Sequence, residues 1–251
     1  MKKINNKHFQ IVAFIKAIDK TYFDRFIDNG EICLNPAKWF REYERNDANI
    51  GDAYEGARVA CGSGITLCYA DPIKSYNSEE DLKNKISSAK WSDPISGITN
   101  FKAFDSESNG NILSLYAVES FISGKIEEHI LPRKFVDEFS NCRFIMIVNP
   151  MAFISKIEEA MRKRGKSLKY SMVRYYNLNE KLNDNLSLFD KQDKYAYQNE
   201  FRLVSKDPNA KKQILNVGSL RDICFEIYPT QKMYRITNDE VNLIIRMENK
   251  Q

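Results

Sequence analysis

A continuous apolar run, Phe144-Ile145-Met146-Ile147-Val148, meets Asn149-Pro150 and then a stripe of Phe153, Ile154, Ile157 and Met161. Five apolar residues in a row read as a strand buried on both faces, because a strand with one wet face would alternate. Asn149-Pro150 reads as an N-cap followed by proline at the first helical position, and the spacing of the stripe puts it on one side of a helix ended by Gly165. A buried strand leading by one short turn into a one-sided helix needs a sheet for the helix to cover, which excludes an all-helical bundle.

The rest of the chain yields mixed elements. Ile11, Phe14, Ile15 and Ile18 are three and four apart and predict a helix over 9–18. Residues 22–27 predict a strand, Asp28-Asn29-Gly30 a turn, and 31–34 a short strand. Asn35-Pro36 repeats the helix-opening signature and predicts a helix to Arg45. Strands are expected at 57–61, 65–69 and 112–118, and a charged helix at 78–90. A helix from Pro132 carries Phe135, Val136 and Phe139. Residues 167–176, 195–205, 213–217 and 223–228 are strand-like; Thr237 with Glu240 offers a capping box for a last helix, and 241–247 also fits a strand. Residues 71–111 are expected to form a mobile excursion, with Ser, Gly, Asn and Asp dominating their second half. Without regular β-α alternation or internal repeats, the expected architecture is α+β: one domain over 1–251, with a mixed, mostly antiparallel sheet flanked by helices.

Composition narrows the function classes. With 251 residues, 43% hydrophobic and 12% aromatic, the chain can bury a sizeable core, and Gly 10 and Pro 7 exclude a fibrous or low-complexity protein. Lys+Arg 38 against Asp+Glu 34 leaves a net charge of +4, less one-sided than a dedicated duplex-binding surface, so nucleic acid is not the favoured partner. Apolar runs fall far short of the ~20 residues that span a bilayer, and Lys16 and Asp19 interrupt the one stretch resembling a signal peptide. Cys33, Cys61, Cys68, Cys142 and Cys224 are odd in number and widely spaced, and with only His8 and His129 no metal centre is expected. These features together predict reduced thiols and a cytoplasmic location.

Three segments offer chemistry. In the loop 47–55, Asp47, Asp52 and Glu55 could gather a hard cation, but Asp52 stands where a calcium loop needs its turn glycine and Arg58 where it needs its last carboxylate. The alternative is a solvated loop whose Asp and Asn side chains cap their own backbone. In Tyr195-Ala-Tyr-Gln-Asn-Glu-Phe-Arg, strand alternation would put Tyr195, Tyr197, Asn199 and Phe201 on one face and Gln198, Glu200 and Arg202 on the other. That polar face could line a pocket, with Glu200 accepting from a ribose hydroxyl and Arg202 forking a phosphate, or it could be salt pairing on a solvated surface. Arg162, Lys163, Arg164, Lys166 and Arg174 with interleaved tyrosines could contact phosphate and stack bases, or simply stabilise a helix C-terminus. Phosphate-loop and dinucleotide-loop glycine patterns are missing, and neither histidine sits in a catalytic motif.

Three stretches carry a resemblance: Phe26-Ile-Asp-Asn-Gly-Glu-Ile-Cys-Leu-Asn-Pro through Asn49-Ile-Gly-Asp-Ala-Tyr-Glu-Gly, Tyr195 to Arg202, and Asn216-Val-Gly-Ser-Leu-Arg-Asp-Ile. Together they resemble an uncharacterised group of proteins from phages, mobile elements and their low-GC bacterial hosts. The resemblance covers about a third of the chain. It implies a role in bacterium–phage conflict, as defence or counter-defence, and no established chemistry. Gln198-Asn-Glu200 is also similar to the late Gln/Glu-x-Glu motif of ADP-ribosyltransferases, which implies Glu200 as the catalytic carboxylate, Arg58 as the early arginine and Ser114 as the middle serine; the Ser-Thr-Ser-like string of that superfamily is absent. The expectation is recognition of a nucleotide-type ligand, NAD or a relative, with Gln198, Arg202, Asp52, Tyr54, Glu55 and Arg58 around Glu200. The alternative is a non-catalytic inhibitor that binds a phage or host protein, or nucleic acid.

Overall fold

Phe9–Asp19 form a strand, β1, and not the helix that the spacing predicts. The reason is a bulge between Ile11 and Ala13, which shifts the alternation by one residue. Ile11, Phe14 and Ile18 then face one core, while Ala13 and Ile15 face the other. A doubly buried, bulged strand thus imitates helical spacing.

The chain continues through helix α1 (Phe23–Asn29), strand β2 (Glu31–Pro36) and helix α2 (Ala37–Tyr43). Strands β3 (Arg58–Gly62) and β4 (Ile65–Thr66), helix α3 (Glu79–Ser88), and strands β5 (Gly97–Ile98) and β6 (Phe101–Asp105) follow. Next come β7 (Gly110–Phe121), β8 (Ile126–Leu131), helix α4 (Arg133–Glu138), β9 (Cys142–Ile147) and helix α5 (Pro150–Arg162). The last part holds β10 (Lys169–Met172), β11 (Arg174–Tyr176), β12 (Asp190–Gln192), a 3-10 turn (Asp193–Gln198), β13 (Glu200–Lys206), β14 (Gln213–Asn216), β15 (Cys224–Ile227), β16 (Tyr234–Thr237) and β17 (Asn242–Met247). This computed structural model describes residues 9–43, 58–62, 65–66, 75, 77–90, 97–98, 101–105, 109–121, 126–177, 186–228, 234–237 and 242–247.

The main sheet runs β10-β13-β7-β1-β9-β15, every neighbouring pair antiparallel, with β2 attached to the start of β7 and β14 to β2. One face packs on α1 and α5 through Phe14, Leu113, Leu115, Ile145, Ile147 and Leu203 against Phe23, Phe26, Phe153, Ile154, Ile157 and Met161. The opposite face is covered by α4 and by the β16-β17-β8 sheet, through Tyr116, Val118, Met146, Phe135, Val136, Leu243 and Ile245. The fold is α+β with a mostly antiparallel sheet. Among the described residues no helix is long and apolar enough to cross a membrane.

The helix after the apolar run forms as its signals require. Asn149 Oδ1 accepts from Ala152 N at 3.0 Å, Pro150 takes the first turn, and the four stripe residues are buried. Replacing Asn149→Ala leaves that amide without its cap and is expected to cost ~1 kcal/mol. The measurement is a urea unfolding midpoint at unchanged m value; an unchanged midpoint would show that water replaces the cap fully.

Elsewhere the expectations need correction. Residues 23–29 are helical because Phe23, Phe26 and Ile27 share one buried face, and Gly30, at φ 59, ends the helix with its N–H on Arg25 O. The Asp28-Asn29-Gly30 signal is therefore a helix terminus and not a hairpin turn. Asn35 and Pro36 finish β2, so α2 starts one residue later than the proline signature suggests. The 71–111 region contains the expected helix as α3, capped by Ser78, but also β5 and β6, the latter paired with β3. Residues 242–247 form a strand parallel to β8.

Candidate functional site

Tyr195 to Gln198 belong to the 3-10 turn, and only from Glu200 onward is the segment a strand. The hinge between the two is Asn199, at φ 35, the only non-glycine residue in the left-handed region among those described. Its side chain holds it there, donating to Ala117 O at 2.8 Å and to Glu119 Oε2 at 3.1 Å. The expected sharing of one strand face by Tyr195, Tyr197, Asn199 and Phe201 therefore fails. Phe201 alone points into the core beneath α5.

Glu200 and Arg202 do share a face, and it is not solvated: they are 3% and 1% exposed. Glu200 Oε1 accepts from Arg202 Nε at 2.6 Å and from the Ser114 hydroxyl on the adjacent β7. Oε2 accepts from Lys191 Nζ at 2.9 Å. Lys191 also donates to Gln198 Oε1 at 2.7 Å, and Arg202 donates to Leu188 O at 2.7 Å. The Glu200 N–H donates to the Tyr175 hydroxyl oxygen at 2.8 Å. Gln198 thus joins the cluster through Lys191 and the turn, not through strand alternation.

Burial by itself would push the Glu200 carboxyl up. The Arg202 and Lys191 charges, with hydrogen bonds from Arg202 and Ser114, overrule it and hold the acid far below the ordinary carboxylate range. Such a carboxylate is ionised at neutral pH, yet its charge already faces two cations. It has little field left for a developing positive centre.

Around this cluster lies a half-buried margin. The Tyr197 hydroxyl donates to Glu138, and Gln198 Nε2 lies 3.4 Å from Glu138 Oε2. The Tyr116 hydroxyl and His129 Nε2 are 3.0 Å apart, and burial lowers the basicity of that imidazole. Neither Lys191 nor His129 was singled out as a site residue by the sequence. The Glu-His-Ile alternation in β8, which leaves Glu128 and Ile130 exposed and His129 half-buried, is the one signal that could have found the histidine.

The sheet itself opens beside Ser114. On that side β7 pairs with β1 as far as Tyr116, through Ile15, and with β2 only from Ile112, through Asn35. Between these pairs β1 turns toward β9 and β2 toward β14, leaving a fork. Lys16 reaches into it, donating from Nζ to Ser114 O at 2.8 Å. Lys16, Cys33 and Ser114 are all half-buried.

The remaining candidates are dispersed. Asp47, Asp52, Tyr54 and Glu55 lie outside the described residues, and Arg58 is placed only by its backbone, opening β3 in register with Asp105. In the basic cluster Arg162 ends α5, while the others hold intramolecular partners: Lys163 pairs with Glu159 at 2.7 Å, Arg164 donates to Ile214 O at 2.7 Å, Lys166 meets Asp207 at 2.8 Å and Arg174 meets Asp190 at 2.8 Å. Among the described residues no three His, Cys, Asp or Glu side chains converge as a metal ion requires.

No protein-family model matches this sequence, and no curated protein or solved structure is similar enough to count as a match.

Proposed function

We propose that this chain recognises a nucleotide-type ligand at the fork beside Ser114, in bacterium–phage conflict, and that Glu200 organises the site without turning the ligand over. The observation that carries the proposal is Ser114. Ser114 is half-buried at the fork and its hydroxyl donates to Glu200, so a group bound there meets a serine held in place from behind by the buried Glu200, Arg202 and Lys191. The conflict setting rests on the resemblance carried by 26–36 through 49–56, by 195–202 and by 216–223.

A second function, ADP-ribosyl transfer, is favoured by one contact: Ser114 and Glu200, the serine and glutamate that the transferase similarity singles out, are hydrogen-bonded partners. It requires Arg202 and Lys191 to release the carboxylate first.

The experiment is native mass spectrometry of the protein purified from a phage-infected host, followed by incubation with NAD and assay of released nicotinamide. The expected result is a bound nucleotide and no nicotinamide. Nicotinamide release abolished by Glu200→Gln would establish the transferase instead. An empty protein with no turnover would overturn both and leave an inhibitor that acts on a partner protein or nucleic acid.

A further inference from the structure

The chain as a whole has a formal charge of only +4, but that charge is not spread evenly. Residues 162–169 carry five Lys or Arg and no carboxylate, and residues 206–212 carry three lysines and one carboxylate, Asp207. The fold brings the two stretches to one end of the main sheet. Lys166 Nζ meets Asp207 at 2.8 Å, and Arg164 Nη2 donates to Ile214 O at 2.7 Å. Lys169 opens β10 opposite Val204, two residues before Lys206. Seven of the eight basic side chains are exposed, and Lys166 is half-buried.

Local structure accounts for part of this. Arg162 and Lys163 sit at the end of α5, where cations stabilise the last carbonyls of a helix. Lys206, Lys211 and Lys212 come from a different part of the chain and lie at strand ends, where no helix dipole rewards them. Ion pairs neutralise two of the eight cations, Lys163 through Glu159 at 2.7 Å and Lys166 through Asp207. The partner of Arg164 is a carbonyl, which leaves its charge in place. Eight cations against Glu158, Glu159 and Asp207 leave an excess of five, more than the net charge of the whole chain. Cations gathered in this way repel one another unless a polyanion lies across them.

We propose that this end of the sheet binds single-stranded nucleic acid through its phosphate backbone. A flexible strand repeats its charge along its length, so it can follow cations set around an edge, where a compact anion would meet only one or two of them. Tyr170 selects the single-stranded form. It directly follows Lys169 and is 41% exposed, with its ring centroid 6.1 Å from that of Phe201, so an aromatic surface backed by the core stands next to the cations. An unpaired base can stack on such a ring, whereas the bases of a duplex are already stacked on each other. None of these residues belongs to the fork, so this binding stands or falls separately from nucleotide recognition beside Ser114.

The probe is a fluorescently labelled oligothymidylate of about 20 nucleotides, titrated with the full chain by anisotropy at several salt concentrations. The expected result is binding whose logarithm falls linearly with the logarithm of the salt concentration. The variant Lys169→Ala/Lys211→Ala/Lys212→Ala is expected to weaken binding at least tenfold at about 50 mM salt and to lower the slope by about 2, since each phosphate contact contributes ~0.7. All three positions are exposed, so the fold is expected to be kept. Tyr170→Ala is expected to weaken binding about fivefold or more at an unchanged slope, and a duplex of the same length to bind less tightly than the single strand. No binding at about 50 mM salt, or equal affinity and slope for the triple variant, overturns the proposal. A silent Tyr170→Ala together with equal binding of the duplex overturns its single-stranded form. Capture by phosphatidylglycerol vesicles without any binding of the oligonucleotide would overturn it too and make this end of the sheet a membrane contact.

Discussion

Glu200→Gln is expected to lower stability at pH 7 by ~3–5 kcal/mol, because it leaves the Arg202 and Lys191 charges buried opposite a neutral amide. For a chain of 251 residues that is a fall of about 10 °C in Tm. The large magnitude follows from burial. An exposed ion pair is worth ~0–1 kcal/mol, but Arg202 and Lys191 are nearly inaccessible, so water cannot replace the lost partner. The double substitution Glu200→Gln/Arg202→Met removes one of the two cations that face the amide and is expected to recover part of the loss. A Tm within about 2 °C of wild type for the single substitution would mean that water reaches the cluster and screens it.

The pH dependence carries its own sign. Glu200 is held below its unfolded value of ~4.3, so its contribution is fully present above that value and is lost as pH falls through it toward the folded one. Wild type and Glu200→Gln should therefore differ most near pH 7 and converge as the pH is taken below ~4. A difference that stayed constant down to pH 2 would assign the loss to packing and not to ionisation.

How far the sequence predicts these features depends on what each signal measures. The turn from β9 into α5 is legible because cap, proline and stripe are local and all agree. At β1 the same periodicity rule misleads, since a bulge and burial on both faces produce helical spacing without a helix. Periodicity records which residues are apolar, not what lies on either side of them. The site divides in the same way. Gln198, Glu200 and Arg202 stand out as residue types, but strand alternation has no access to Asn199, whose left-handed backbone turns the chain and hands Gln198 to Lys191 instead. Lys191 lies in Asp-Lys-Gln, a stretch that reads as solvated, and is buried because Glu200 offers a countercharge 2.9 Å from its ammonium. In the sequence Lys16 is an interruption of the apolar segment 11–18. Its meaning comes from the fork between β1 and β2, which no local pattern encodes.

Gly30→Ala tests the other contact that distant stretches make. Gly30 sits at φ +59, where a Cβ costs ~1–2 kcal/mol, and that Cβ would fall 2.1 Å from Gly218 O and 2.7 Å from Val217 Cγ2. The segments are tied on both sides of this point: Val217 N donates to Gly30 O at 3.1 Å, Leu220 N donates to Ile27 O at 2.9 Å, and Arg221 pairs with Asp28 at 2.5 Å. Backbone cannot move aside as a flexible side chain does, so the substitution is expected to cost about 3 kcal/mol or more. Gly165→Ala is the control, because Gly165 has φ +68 but no atom within 4 Å of the added Cβ, and it should cost only the ~1–2 kcal/mol of backbone strain. Chemical unfolding of both variants reads the difference, and equal losses would mean that the approach of Gly218 is not a constraint. The stretches 26–36 and 216–223 thus hold α1 and β2 against the loop before β15, and β2 is one arm of the fork in which Lys16 lies.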